Sequence, residues 1–325
     1  MKILVLTDTH IRGTTPQNRL DDFPVTLKEK LLEVKDMIEQ EGIDFVLHGG
    51  DLFDRPDTAP SVVSDFIQIL RGFEVPIYIV AGNHDLYGHN PTTLSRTMLG
   101  LLNASGIVEV LNFKEEKIIE VSGVRLQLQG CPYYYDLDSS DEPNKYLLEK
   151  RSDVDYAVNL IHGLLLPQPF GIDLDYTLID DIQTTEADIT IVGHYHTGFG
   201  IEEISDQKYC LNPGSLVRIG AYTGELNRIP QVAIIELTTD KLDITLHELD
   251  TAPPGKEVLD RSQIELNEYR EQKLADFTQS IKGAGEFNFL EVKEILEELA
   301  DNKDLKKKVR IEARNRIAKA EENLA

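Results

Sequence analysis

Tryptophan is absent from this 325-residue chain, and cysteine occurs only at Cys131 and Cys210. Two distant thiols outside any CxxC spacing exclude a disulfide framework and a thiolate zinc site, which leaves both as plain core residues. Long apolar runs are missing as well. The N-terminal stretch Met1 to Leu6 reaches Asp8 too soon for a signal-peptide core or a membrane span, so a cytoplasmic protein with no membrane partner is expected. Positive charge is scarce: 33 Lys and Arg face 57 Asp and Glu, a formal net charge of −24. That excludes nonspecific nucleic-acid affinity through a broad basic surface, because phosphate contacts need Lys and Arg. The imbalance is uneven, however. Residues 1–255 carry 19 basic and 41 acidic side chains, whereas 303–325 carry 8 basic and 4 acidic, so the C-terminus has a different task or partner.

What is present is an ordinary globular composition, 41% hydrophobic, enough for one large domain with a smaller appendage. Short β-branched runs each end in a polar cluster: Ile3 to Leu6 before Asp8, Phe45 to Leu47 before Gly49-Gly50-Asp51, and Ile77 to Val80 before Gly82-Asn83-His84-Asp85. Each reads as a buried strand feeding a loop. Between the first two, Thr26-Leu27-Lys28-Glu29 has the form of a capping box, opening a helix with Leu27, Leu31, Val34 and Ile38 on one face. Ser61 opens a second helix, with Val63, Phe66, Ile67 and Leu70. Strand and helix alternate, which predicts a layered α/β fold. Further strands are expected at Val124 to Leu128, Ala157 to Ile161, Ile189 to Val192, and, as a closing hairpin, Val232 to Leu237 with Leu242 to His247. After Thr251-Ala252-Pro253-Pro254-Gly255, a linker by composition, the pattern turns helical at about 264–281, 289–300 and 303–322. The boundary is placed near 255, giving a main domain of 1–255 and a capping or partner-docking region of 256–325.

Metal-ligand residue types gather at the ends of these strands: Asp8 and His10, Asp51, Asn83 and His84, His162, then His194 and His196. Five of the eight histidines sit there. A lone histidine is more often a satisfied structural residue than a ligand, and His48 and His247 are read that way. Five at strand ends together have the composition of a mixed His/Asp/Asn dimetal site, which suits manganese, iron or zinc. Two cations need a bridging anion, and Asp51 is the best candidate. Asp8, His10 and His196 then complete one ligand set, and Asn83, His162 and His194 the other. Such a pair polarises a phosphodiester and activates water for in-line attack at phosphorus. His84 is left free to protonate the leaving oxygen, with Asp85 to orient or charge-stabilise it.

The blocks Asp8-Thr9-His10, Gly50-Asp51, Gly82-Asn83-His84-Asp85, His162-Gly163 and Gly193-His194-Tyr195-His196 resemble, in order, the signature of the calcineurin-like metallophosphoesterases. The resemblance implies a four-layer αββα sandwich, the ligand and acid roles just given, and two divalent ions, manganese first among them. Gly50-Asp51-Leu52-Phe53-Asp54 with Pro56, Gly82-Asn83-His84-Asp85-Leu86-Tyr87 and Asn212-Pro213-Gly214-Ser215 are similar to the DNA-repair nucleases of the SbcD or meiotic recombination eleven type. That similarity implies an exo- or endonuclease acting on DNA, dimerising through helices of its core, and partnered by an SbcC-type ABC ATPase. It covers the core well and the last 70 residues only in outline. Asp54 departs from the archaeal and eukaryotic members, which carry a histidine near the substrate, and matches the bacterial type.

Weaker signals remain. Tyr134, within Tyr133-Tyr134-Tyr135, is a candidate for stacking on an unpaired base, against the simpler reading of a loop packed on the core. His89 is a candidate phosphate contact, against plain solvation. Asn212-Pro213-Gly214-Ser215 reads as a tight turn supporting the His194 to His196 loop. In 303–322, Leu305, Val309, Ala313 and Ile317 form an apolar stripe among basic residues, suited to a partner's groove or to the chain's own acidic core. Two competing functions keep the fold: a phosphodiesterase for a cyclic nucleotide or phosphoprotein, and a metal-free scaffold. The tail argues against the first, the complete ligand set against the second.

Overall fold

In the computed structural model the described residues are 1–139, 143–169 and 175–262, together with 264, 273 and 308. The chain divides into two compact units, Met1–Arg261 and Ser262–Ala325. The helices expected at 264–281, 289–300 and 303–322 lie, single positions aside, outside the described residues.

The chain is mixed α/β, with two six-stranded sheets packed face to face. In the first, β1 (Lys2–Leu6), β2 (Phe45–His48), β3 (Ile77–Ile79) and β4 (Glu109–Val110) run parallel. The second contains β5 (Glu116–Val121), β6 (Val124–Cys131), β7 (Tyr156–His162), β10 (Ile189–Gly193), β11 (Gly200–Ser205) and β12 (Lys208–Asn212), in the order β11-β12-β10-β7-β6-β5. Its four central strands are parallel and its two edges antiparallel. The first sheet is closed by the hairpin of β13 (Gln231–Leu237) and β14 (Leu242–Glu248), β13 pairing antiparallel with β1. Apart from both sheets, β8 (Leu165–Leu166) and β9 (Thr177–Leu178) form a small parallel pair.

Period-two alternation sorts the core. From β1 and β2, Leu4, Leu6 and Val46 face helices α1 (Phe23–Glu41) and α2 (Pro60–Arg71), while Ile3, Val5, Phe45 and Leu47 face the second sheet. The second sheet answers with Leu126, Leu128, Val158, Leu160, Ile189 and Ile191. Its outer face, with Cys131, Ile161, Val192 and Cys210, is covered among the described residues by loops and short 3₁₀ turns around Leu137, Tyr146, Ile179 and Ile182. Both cysteines are buried and free, and burial pushes the Cys210 thiol up to about 12.

Helix α1 starts three residues before the Thr26 box. Asp22 caps it by accepting from the Val25 amide, and Pro24 in the first turn is pre-set for helical φ. Thr26 instead donates within the first turn. Helix α2 begins at Pro60 with no side-chain cap at all. The expected apolar faces are the buried ones in both. The parallel strands of both sheets direct their C-terminal ends to one rim, where the ligand-type residues stand.

Candidate metal centre at the strand ends

Asp8 and His10 follow β1, Asp51 follows β2, Asn83 and His84 follow β3, His162 ends β7, and His194 and His196 follow β10. Their backbones are unusual. Asp8, His10, Asp51 and His194 all have positive φ, at 51°, 44°, 52° and 86°. Each such residue costs on the order of 1–3 kcal/mol, and this kind of strain gathers at functional sites. Compensation is local. Thr7 Oγ1 donates to Asp8 Oδ2 at 2.6 Å, the His194 amide donates to the same carboxylate, and Ser215 Oγ donates to the Asp8 carbonyl at 2.7 Å. The Ser215 amide also donates to the His196 carbonyl, and Asn212 Nδ2 to the Tyr195 carbonyl at 3.2 Å. The Asn212 to Ser215 turn thus supports both the Asp8 and the His194 to His196 loops. Two glycines let the loops approach closely: a Cβ at Gly82 would run into the Asp51 carboxylate, and one at Gly50 into the His162 ring.

Two groups of ligand atoms converge here, and Asp51 belongs to both. Asp8, His10, Asp51 and His196 form the first; Asp51, His162 and His194 form the second. In the first, His10 Nε2 and His196 Nε2 face each other at 3.0 Å, with His196 Nε2 3.6 Å from Asp8 Oδ1. In the second, Asn83 Oδ1 stands 3.1 Å from His162 Nε2. A third, more open group joins His10, Asp54 and His84.

Whether the residues fit metal ions is tested by what they leave unsatisfied. Asp51 Oδ2 is fully buried and has no hydrogen-bond partner, yet lies 3.7 Å from His10 Nε2 and 3.5 Å from His162 Nε2. A carboxylate oxygen stranded between imidazole nitrogens is costly unless a cation completes it. His162 Nδ1 meets the Gly49 carbonyl at 2.7 Å, so that nitrogen carries a hydrogen and Nε2 faces the cluster. Metal-ligating histidines are oriented in this way. Burial alone would push the His162 imidazole toward neutrality, but Asp51 and Asp8 raise it to about 9. Burial likewise opposes a charge on Asp51, and His162 and His10 outweigh it, holding the carboxyl below its usual range. His10 and His194 are pushed the other way by burial, His194 to about 3. The pocket as a whole attracts positive charge and holds several neutral imidazoles. The donor set fits divalent metal.

A family model for the calcineurin-like phosphoesterases matches residues 1–198, a span containing every one of these residues. The chain belongs to the calcineurin-like phosphoesterase family. Among curated relatives, the DNA double-strand break repair protein Mre11 of Halobacterium salinarum is 28% identical over 204 residues, which cover 58% of this chain and 46% of that protein. The Mre11 protein of Archaeoglobus fulgidus is 27% identical over 238 residues, covering 67% and 50%. The chain spans about half the length of the curated relatives it matches. Among solved structures, a dimetal phosphatase from Danio rerio aligns with a TM-score of 0.49 at 11% identity, over 76% of this chain and 96% of that one.

Within this phosphoesterase site, His84 is exposed, its amide donating to Asp51 Oδ1 at 2.8 Å. Its Nδ1 lies 3.0 Å from the Asp54 carbonyl, so Nδ1 carries a hydrogen and Nε2 is directed elsewhere. Asp85, expected to orient His84, is turned the opposite way. It is fully buried and accepts from the amides of Leu52, Phe53 and Gly82 at 3.3, 2.9 and 3.0 Å. Its carboxylate ties the Asp51 and Asn83 loops together, while a backbone carbonyl faces His84. Burial and the nearby Asp51 raise the Asp85 acid to about 7.

The weaker candidates disperse. Asp54 borders the cluster, with Oδ1 3.8 Å from His10 Nδ1 and Oδ2 3.0 Å from Arg12 Nη1. His89 is exposed and touches Tyr133, ring centroids 5.8 Å apart. Tyr134 lines a neighbouring cavity. His48 is structural: Nδ1 accepts from the Gly50 amide, Nε2 faces Thr9 Oγ1 at 3.2 Å, and burial lowers it to about 3. Sequence reasoning missed Arg12 and flagged Tyr133 only as part of the Tyr133-Tyr134-Tyr135 run. Tyr133 leans on two candidate ligands, 5.8 Å from the His194 ring and 6.3 Å from that of His162. No spacing signals this. Arg12, two residues past His10, was open to suspicion as a nearby cation.

Proposed function

We propose that this chain is a two-metal DNA nuclease that hydrolyses phosphodiesters in double-strand-break repair. The observation that carries the reading is the stranded Asp51 oxygen, shared by two groups of ligand atoms. Asp8, His10, Asp51 and His196 would hold one divalent ion, and Asp51, Asn83, His162 and His194 the other. Oxygen and imidazole donors without thiolate suit manganese. When bound, such a pair supplies Lewis-acid polarisation of the phosphodiester and lowers the pKa of water.

The chain's own residues then divide the remaining work. His84, held through Nδ1 by the Asp54 carbonyl, would present Nε2 to the leaving oxygen as the proton donor. Asp85 fixes the loop that carries Asn83 and His84. Thr7 and Ser215 hold Asp8 in its strained backbone. The choice of DNA as substrate draws its support from two relatives named as DNA double-strand break repair proteins. On this reading the protein works in the cytoplasm as a homodimer, and residues 303–322 dock an SbcC-type ATPase.

The test is incubation of metal-stripped protein with labelled linear DNA, bis-p-nitrophenyl phosphate and cyclic nucleotides, with and without manganese. Manganese-dependent DNA cleavage abolished by chelation is expected. Hydrolysis of cyclic nucleotides with intact DNA would replace the nuclease reading by that of a small-molecule phosphodiesterase.

A further inference from the structure

Beside the ligand cluster, a cavity of about 920 Å³ is lined by Pro91, Thr92, Asn112, Phe113, Tyr134 and Lys145, among others. It lies one residue along the chain from a side chain that packs on the candidate ligands. Tyr133 packs against His162, His194 and His89, and the next residue, Tyr134, faces the cavity; Pro91 and Thr92 follow His89 closely in sequence. The cavity's character is aromatic. The rings of Phe113 and Tyr134 stand 5.4 Å apart at 76°, forming a corner, and Phe113 is 44% exposed. Lys145 is buried, with Nζ 4.6 Å from the centre of the Tyr134 ring and donating to the Asp136 carbonyl at 2.6 Å. Lys114 Nζ lies 5.8 Å from the Phe113 ring.

An aromatic corner backed by ammonium groups suits a flat π-system attached to a phosphate. The charge balance gives the corner a purpose. At a formal net charge of −24 the chain is poorly furnished for phosphate-driven binding, so affinity for a nucleic acid must come from contacts that charge does not supply. Stacking is such a contact, and it tolerates any sequence because every base has a π-face.

We infer that this cavity is a stacking subsite for an unpaired nucleobase next to the scissile phosphate, with Phe113 and Tyr134 as its platform. The inference rests on the nuclease reading for its location, while the chemistry it recognises is shared by single strands and free nucleotides.

The absence of tryptophan makes the subsite directly readable, because Tyr134→Trp or Phe113→Trp places the chain's one indole fluorophore in the corner. With metal chelated, so that nothing is cleaved, a thymidylate decamer should quench that fluorescence saturably. The same backbone with abasic sites, and a blunt duplex, should not. Quenching by thymidine monophosphate alone would keep the subsite but assign it to free nucleotides. No quenching in either variant, or equal quenching by the abasic strand, overturns the inference. In parallel, Tyr134→Ala should raise KM for unpaired DNA about tenfold with little change in kcat, and leave the abasic strand unaffected. An unchanged KM in a protein that does cleave DNA would overturn the subsite and leave the nuclease reading intact. Quenching without DNA cleavage under any divalent metal would do the reverse.

Discussion

Asp51 Oδ2, buried and without a hydrogen-bond partner, stands 3.5 Å from Nε2 of His162, whose other nitrogen is committed to the Gly49 carbonyl. Neither can satisfy the other unless a proton or a cation lies between them, and the same oxygen meets His10 Nε2 on its other side at 3.7 Å. Four positive-φ residues are held in place around this junction by side chains and backbone alike.

Replacing His84 by Gln should lower turnover on DNA by about two to four orders of magnitude, the range for losing a general acid. Metal content, followed by mass spectrometry, should be unchanged, because His84 belongs to neither of the two groups of ligand atoms that share Asp51. Hydrolysis of p-nitrophenyl phosphate should suffer much less, its leaving group hardly needing a proton. Loss of metal in the variant would make His84 a ligand.

Gly82→Ala should weaken manganese binding by about ten- to a hundredfold, the range seen when groups supporting a ligand are lost. The new methyl has no room beside the Asp51 carboxylate. The rise in melting temperature on adding manganese reads this directly. An undiminished rise would show that Asp51 does not need its observed position.

Lys30 offers a prediction remote from the metal centre. It is buried, donates to the Leu216 carbonyl at 3.1 Å, and is lowered to about 7 by burial and by Arg19, Arg218 and Arg228. Its folded pKa lies below its unfolded one, so between pH 7 and about 10 the unfolded chain binds more protons and stability rises with pH. The slope is at most about 1.4 kcal/mol per pH unit. Denaturant titrations should therefore show the wild type gaining on Lys30→Met across that window, and parallel curves would contradict the assignment.

Deleting residues 303–325 should spare hydrolysis of a small chromogenic diester while weakening capture of an SbcC-type ATPase or binding of DNA, most visibly at low salt. Capture and binding both unchanged would remove the docking role.

Much of the sheet frame was legible because buried parallel strands are apolar on both faces, as Ile3 to Leu6 and Phe45 to Leu47 are. The candidate ligand residues stood out because each follows such a run. Strand β11 was not: its Glu202 and Glu203 are exposed on a sheet edge, where no core enforces an apolar pattern. Asp85 was misjudged as the orienter of His84 because adjacency in sequence says nothing of direction. In the loop one side chain is exposed and the other is buried on three amides. Tyr133 and the aromatic corner depend on the meeting of distant segments, which periodicity does not record.

The most direct test of the account is the manganese content of the folded chain, counted by mass spectrometry or calorimetry after loading and removal of excess metal. Wild type should hold about two ions per chain. His196→Ala should lose one, and Asp51→Asn should lose affinity for both, since its carboxylate belongs to both groups. A wild-type protein that binds a single ion, or an Asp51→Asn variant that keeps both, would contradict the shared-carboxylate centre.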